Sequence, residues 1–266
     1  MSAILMVPEA AFEETLESTP KSMIGGLQVS AIDRRTAARI MIDAARKRPR
    51  GQRPLYFTSV NGEVIARAHA DKSVAALFNS ADQILADGQP LVIASRWLCR
   101  HRLPERVATT DLFHDAATLA VETGTTFYFL GATEFENLKA VAAIRARYPG
   151  LDISGHCHGY LTGERLAAKL DEINALGPDI LWLGLGVPME QTFVRTHGAR
   201  LSNVGVIKTS GGLLNHLSGK NPRAPRWIQA AGFEWLWRAI IEPRRLLWRY
   251  LSTNPRAIYA ILRYSQ

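Results

Sequence analysis

Five apolar runs of strand length in this sequence end in small, polar or acidic residues of the kind that handle phosphates and sugars. Leu55–Val60 carries Thr58 and runs into Asn61, and Gln83–Ala86 leads into Asp87-Gly88. Thr125–Leu130 ends on Gly131, and Asp179–Leu185 passes through Gly184 to Gly186, with Glu190 and Gln191 at the next helix start. Val204–Lys208 leads into Ser210-Gly211-Gly212. Glycines after strands let a backbone approach phosphate, and the helix N-termini that follow favour anions. One such glycine is usually a plain turn; three glycine-bearing strand ends in one domain favour a nucleotide pocket. The other residues each have two readings. Thr58 and Asn61 suit sugar hydroxyls or local turn bonding. Glu190 and Gln191 suit a base or ribose, or simply favour the helix dipole. Asp87 has room for substrate beside Gly88, or caps a helix near Pro90. Asp111 caps a helix from Leu112, or orients Arg106.

Several familiar motifs are missing. No G-x-G-x-x-G follows the first strand, and Gly184-x-Gly186 lacks a third glycine at the required spacing, which counts against a dinucleotide oxidoreductase or another nucleotide-binding module. Gly219-Lys220 is followed by Asn221, so there is no phosphate loop. Asp-x-Asp, a common metal site of nucleotide-sugar enzymes, occurs nowhere. His156-Cys157-His158 has no further ligands at zinc spacing.

These residues must be positioned by the elements around them. The apolar runs, Leu151–Ser154 included, are continuous rather than alternating, as in strands buried on both faces of a parallel sheet. Helical periodicity separates them at Arg34–Lys47, Glu63–Asn79, Leu91–Cys99, Asp111–Thr123, Glu134–Tyr148, Gly163–Leu176 and Met189–Leu201. The alternation predicts an α/β, Rossmann-like, doubly wound and mainly parallel sheet over residues 23–219. Residues 1–22, with Glu9, Glu13, Glu14 and Glu17 and no apolar core of signal-peptide length, read as a flexible lead-in. From residue 220 to 266 the strands stop, and Pro222, Pro225, Pro243 and Pro255 predict a C-terminal appendage of short helices.

That appendage carries nine Lys or Arg against two acids, seven of the chain's net +8, and four of its six tryptophans. A basic, aromatic tail suits an anionic membrane surface. It also suggests RNA, but tryptophans that pack or enter lipid cannot stack on bases. No run reaches about 18 apolar residues, so membrane contact is expected to be peripheral. Two cysteines, Cys99 and Cys157, suggest a reduced, cytoplasmic setting rather than a disulfide framework. A homo-oligomer contact through the same apolar face is a further reading of the tail.

From about Ile24 to Tyr250 the ordered pieces resemble the WecG/TagA/CpsF family of glycosyltransferases. They are Thr58-x-x-Asn61, Ala86-Asp87-Gly88, Arg106-Val107-Ala108-x-x-Asp111, Leu183-Gly184-Leu185-Gly186-x-Pro188, Gly211-Gly212, Ser218-Gly219, Arg223-Ala224-Pro225, Glu234-Trp235-Leu236-x-Arg238 and Glu242-Pro243-x-Arg245. The resemblance implies transfer of a sugar, with inversion, from a UDP-sugar to a polyprenyl-diphosphate-linked saccharide. It places that chemistry at the cytoplasmic face of the bacterial inner membrane, in exopolysaccharide and related cell-surface polysaccharide synthesis, with the appendage completing the site. Three departures stand out. The family usually has Gly at Thr109, Lys or Arg at Met189, and Phe-Asp at Leu214-Asn215, so no role is carried over to 189 or 215. The donor sugar is left open for the same reason.

Inverting transfer needs a base for the acceptor hydroxyl, and a strand-end carboxylate suits it, which selects Asp87. The leaving diphosphate needs cations. With no Asp-x-Asp, Arg223, Arg238 and Arg245 are expected to supply them in place of a metal, and no cofactor is expected.

Overall fold

The computed structural model describes residues 16–221, 224, 225, 228, 237 and 243–266, the side chains of 243–252 excepted. The first strands among the described residues form a hairpin that was not expected, β1 (Lys21–Ile24) and β2 (Leu27–Ser30), paired antiparallel. Its two-residue turn is Gly25-Gly26, both with positive φ (58° and 86°), as such turns require. Lys21 and Ser22, assigned to the lead-in, are thus already in a strand. The elements that follow are α1 (Arg34–Lys47), β3 (Leu55–Val60), α2 (Gly62–Ala70), α3 (Lys72–Asn79), β4 (Gln83–Ala86), α4 (Gln89–Leu98) and α5 (Thr109–Thr123). After them come β5 (Phe127–Gly131), α6 (Glu134–Arg147), β6 (Ile153–Cys157), α7 (Gly163–Leu176), β7 (Ile180–Gly184), α8 (Met189–His197), β8 (Val206–Thr209), α9 (Leu213–Leu217) and α10 (Pro243–Arg263).

The expected doubly wound sheet is present, and its six strands are all parallel in the order β4-β3-β8-β7-β5-β6. Period-two alternation sends Phe127 and Phe129 of β5 into one core with Phe113 and Trp182, against α1, α5 and α6. Tyr128 and Leu130 enter a second core with Leu170 and Phe193, from α7 and α8. The continuous apolar runs follow from having a core on each face. The chain builds outward from β3 to β4, crosses to β5 and β6, and returns through β7 to β8, which pairs with β3. The order therefore reverses between β3 and β8, where open α/β sheets leave a crevice at the strands' carboxyl ends.

Two expectations about helices are corrected. The periodic stretch Glu63–Asn79 is two helices, because Asp71 is extended (φ −139°) and its carboxylate accepts from Ser73 N at 2.8 Å to start α3. Contrary to expectation, Pro255 does not cut the tail into short helices. Pro243 opens α10, where no N–H is needed, and the 21-residue helix runs through Pro255 to Arg263, about 31 Å long.

The end of the tail is docked on the body. Ala260 and Ile261 are buried in one core with Ile24, Leu27, Val60 and Ile65, where α10 lies on α2 and the hairpin. Tyr264 O accepts from Gly26 N at 3.0 Å, and Gln266 exchanges two backbone hydrogen bonds with Met23, at 3.0 and 3.2 Å. The end of the tail, which the sequence suggests for a membrane surface, thus also forms a wall of the protein.

Candidate functional site

A cleft of about 460 Å³ lies at the carboxyl ends of β3, β4 and β8. Four helix starts open onto it: Asn61-Gly62-Glu63 before and in α2, Gly88-Gln89-Pro90 of α4, Ala108-Thr109-Thr110 of α5, and Gly211-Gly212-Leu213 before and in α9. Helix N-termini favour an anionic ligand, although the N–H groups of Thr109 and Gly211 are already taken by Asp87 and Glu190. Arg106 and His216 face the cleft as well, and Asn254, Ala257, Ile258 and Ile261 of α10 form its apolar side.

Asp87 sits in this cleft directly after β4, half-buried. It does not cap α4, whose N-cap is Gly88 with no side-chain cap bond. Instead its Oδ2 accepts from the backbone N (3.1 Å) and the hydroxyl (3.0 Å) of Thr109, at the start of α5. One oxygen is therefore held by the protein, while among the described residues Oδ1 has no donor. Gly88 keeps the approach narrow: a Cβ there would lie 3.3 Å from Leu91 and 3.6 Å from Asn61.

The other expected residues divide between wall and support. Asn61, Arg106, Glu190, Gly211 and Gly212 line the cleft. Asn61 is also the N-cap of α2, accepting from Val64 N at 3.0 Å, which is the local reading of that residue. Asp111 is in the first turn of α5, which begins two residues before it, and lies 3.9 Å from Arg106, so it orients that guanidinium. Thr58 does not reach the cleft. It is fully buried and bonded to Thr209 Oγ1 at 2.8 Å and Gln191 Nε2 at 3.4 Å, which corrects the expectation that it meets sugar hydroxyls. Gln191, 1% exposed, likewise supports the floor.

Glu190 is 3% exposed; its oxygens accept from Gly211 N at 3.0 Å and Gln191 Nε2 at 3.3 Å. It shapes the Gly211 loop rather than reaching into it. Burial pushes its carboxyl up, against the pull of the Gly211 N–H and Lys208.

Gly131, Gly184 and Gly186 are not on the cleft wall. Gly131 (φ 152°) is required by packing, since a Cβ would fall 2.3 Å from Gly184 O on the neighbouring strand. His156 Nδ1 lies 2.9 Å from Asn137 Oδ1, and the Asn137 amide donates to Gly131 O and Cys157 O, so that histidine braces the ends of β5 and β6. Arg223 and Arg238 lie outside the described residues. Arg245 lies in the first turn of α10, with its side chain outside them.

Lys208 was not anticipated as a site residue. It is in β8 between Ile207 and Thr209, fully buried, and its ammonium donates to Ser59 Oγ at 2.9 Å and Thr209 O at 2.7 Å. Burial lowers its pKa to about 8, opposed by the charges of Glu190 and Asp87. A lysine inside a buried parallel strand was the one available signal, and it was masked by lying at the apparent end of an apolar run.

A parallel sheet with a carboxylate and several helix starts around its switch-point crevice defines an α/β protein with a ligand-binding cleft at the strands' carboxyl ends. The sequence narrows this. The model of the glycosyl transferase WecG/TagA/CpsF family matches residues 22–266, so the chain belongs to that family and is a glycosyltransferase. Among its relatives is an N-acetylglucosaminyldiphosphoundecaprenol N-acetyl-beta-D-mannosaminyltransferase of Bacillus spizizenii, 28% identical over 211 residues, which are 79% of this chain and 80% of that one. Enzymes of the same name from Bacillus subtilis and Staphylococcus aureus (strain MRSA252) are each 29% identical, over 207 and 192 residues. The Bacillus subtilis match covers 78% of both chains, and the Staphylococcus aureus match 72% of this chain and 74% of that one.

Proposed function

We propose that this enzyme transfers a sugar, with inversion, from a UDP-sugar to a polyprenyl-diphosphate-linked N-acetylglucosamine, as a step in cell-surface polysaccharide synthesis. One observation carries the reading. Asp87 stands at the carboxyl end of β4 in the switch-point cleft, one oxygen fixed by Thr109 and helix starts around it. The acceptor hydroxyl oxygen attacks the anomeric carbon of the donor, the bond from that carbon to the β-phosphate oxygen breaks, and Asp87 takes the hydroxyl proton. UDP leaves with both electrons of the broken bond. The helix starts and Arg106 face the diphosphate, and Arg223, Arg238 and Arg245 add cations without a metal ion. The relatives' printed acceptor supports the choice of acceptor class. Thr109, facing the cleft where the family usually has glycine, leaves the donor sugar to be found by a screen of UDP-sugars.

We also propose that the enzyme works bound peripherally at the cytoplasmic face of the inner membrane, a reading that the lipid-linked acceptor of its relatives supports. Among the described residues no helix is long and apolar enough to cross a membrane. Helix α10 packs on α4, and the two expose Ile93, Trp97, Ile258 and Leu262, with Trp97 84% exposed. Ile258 also lines the cleft, so this apolar face is continuous with the site and suits a bilayer surface.

The test is UDP release in the presence of a lipid-diphosphate N-acetylglucosamine acceptor. Release that depends on acceptor and disappears in Asp87→Asn supports the reading. Acceptor-independent release, or a folded Asp87→Asn that transfers normally, contradicts it.

A further inference from the structure

A buried lysine in the middle of a parallel strand is costly. Its ammonium gives up hydration, and leucine or isoleucine at that place would serve the core better. Lys208 is 0% exposed, yet its direct acceptors are uncharged: Ser59 Oγ at 2.9 Å and Thr209 O at 2.7 Å. The reason for it is visible one bond further on. Ser59 Oγ lies 3.2 Å from Thr109 Oγ1, and Thr109 Oγ1 lies 3.0 Å from Asp87 Oδ2. A hydroxyl has one proton to give. Thr109 Oγ1 is within donating reach of both Ser59 Oγ and Asp87 Oδ2, so its one proton has two acceptors to choose from. The ammonium, by occupying a lone pair of Ser59 Oγ, makes that hydroxyl the poorer acceptor and favours the Thr109 proton on Asp87.

We propose that Lys208 is a positioning residue for glycosyl transfer: by donating to Ser59 it turns the Thr109 hydroxyl proton away from Ser59 and onto Asp87 Oδ2, leaving Oδ1 to receive the acceptor proton. The proposal rests on Asp87 being the base. It assigns work to Thr109, which breaks the family pattern, and to Lys208, which no motif marks. Without the ammonium the two hydroxyls can turn around, the Thr109 proton can point to Ser59, and the carboxylate loses a donor that holds its plane.

The ammonium form is the working one, so the sign of the pH effect is fixed. Burial holds Lys208 at about 8, with Asp87 from the end of β4 and Glu190 from α8 pulling the other way. The Tyr56 phenol of β3 lies beyond, near Glu190, and is itself pushed up by burial. Transfer is therefore complete below that value and falls as pH rises through it.

The experiment compares Lys208→Met, Ser59→Ala, their double variant and Asp87→Asn, by steady-state UDP release from pH 6 to pH 10. Lys208→Met is expected to lower kcat about ten- to a hundredfold, as misplacement of a reacting group does, with KM for donor and acceptor within about twofold. Ser59→Ala removes the competing acceptor, so the double variant is expected to recover kcat toward that of wild type, and neither single variant keeps the alkaline limb. Wild-type kcat with an unchanged alkaline limb in Lys208→Met overturns the proposal. So do losses that multiply in the double variant and come with raised KM, the mark of a purely structural lysine. If Lys208→Met does not fold, Ser59→Ala decides alone: an unchanged limb overturns the proposal. Asp87→Asn separates the two readings. Normal transfer in that variant removes the base and this proposal with it, whereas its inactivity beside a normal Lys208→Met removes this proposal only.

Discussion

Asp87 is held at one oxygen by two donors from a single residue, the N–H and the hydroxyl of Thr109. Such a carboxylate has a fixed plane and one oxygen left for chemistry, which is what a general base requires. Asp87→Asn is expected to keep the fold and lose about a hundred- to ten-thousandfold in kcat, measured by UDP release on protein with an unchanged circular dichroism spectrum. The cations assigned to the diphosphate make a second prediction at this scale: EDTA leaves wild-type transfer unchanged, and a loss restored by Mg²⁺ or Mn²⁺ would contradict it. Much of the residue scale was legible in the sequence. Asp87, Asn61, Gly211 and Gly212 follow from their positions after strands, Arg106 comes from the family motif, and all five line the cleft. Thr58 does not, because it belongs to β3 itself and the pleat turns it inward, while Ser59 beside it faces the line to Asp87. Lys208 was hidden because its partners lie far off in sequence, Ser59 at a separation of 149 residues.

At the scale of elements, Gly131 serves packing, whereas Gly211 and Gly212 have open space beside them on the cleft. Gly131 lies where β5 passes β7, with φ at 152° and no space for a Cβ. Gly131→Ala is expected to destabilise the fold by roughly 2–4 kcal/mol, from backbone strain and overlap together, read as a lowered urea midpoint. A residue that served only the donor pocket would change donor KM and leave the midpoint alone. The strands β3 and β4 and the helices α1 and α7 are where the sequence places them, because apolar runs and periodic segments there end in clear caps and turns. The β1–β2 hairpin was not legible: its strands are four residues each, and only the Gly25-Gly26 turn marks it. The long final helix was misread because Pro255 was taken as a stop, whereas α10 is held from outside by contacts of Ala257, Ala260 and Ile261 with the body.

Across the whole molecule, the tail couples the two ends of the chain to the site. Its last residues bond to β1 and the hairpin turn, and the helix before them walls the cleft beside α2. Ending the chain after Asn254 removes Ala257, Ile258 and Ile261 together with those bonds. It is expected to abolish transfer even to a water-soluble acceptor analogue and to lower the unfolding temperature. The membrane reading makes a separate prediction. Trp97→Glu combined with Leu262→Glu puts charge on the apolar face and is expected to reduce sedimentation with anionic vesicles several-fold, while transfer to the soluble analogue persists. The net charge of +8, almost all of it in the tail, predicts that vesicle binding also weakens as salt is raised.

The most direct measurement is UDP release from a panel of UDP-sugars, with and without a lipid-diphosphate N-acetylglucosamine acceptor, for wild type and Asp87→Asn. The account predicts that at least one donor gives release only when the acceptor is present, and that the folded Asp87→Asn variant does not. Release from no donor, or equal release by the two proteins, would contradict it.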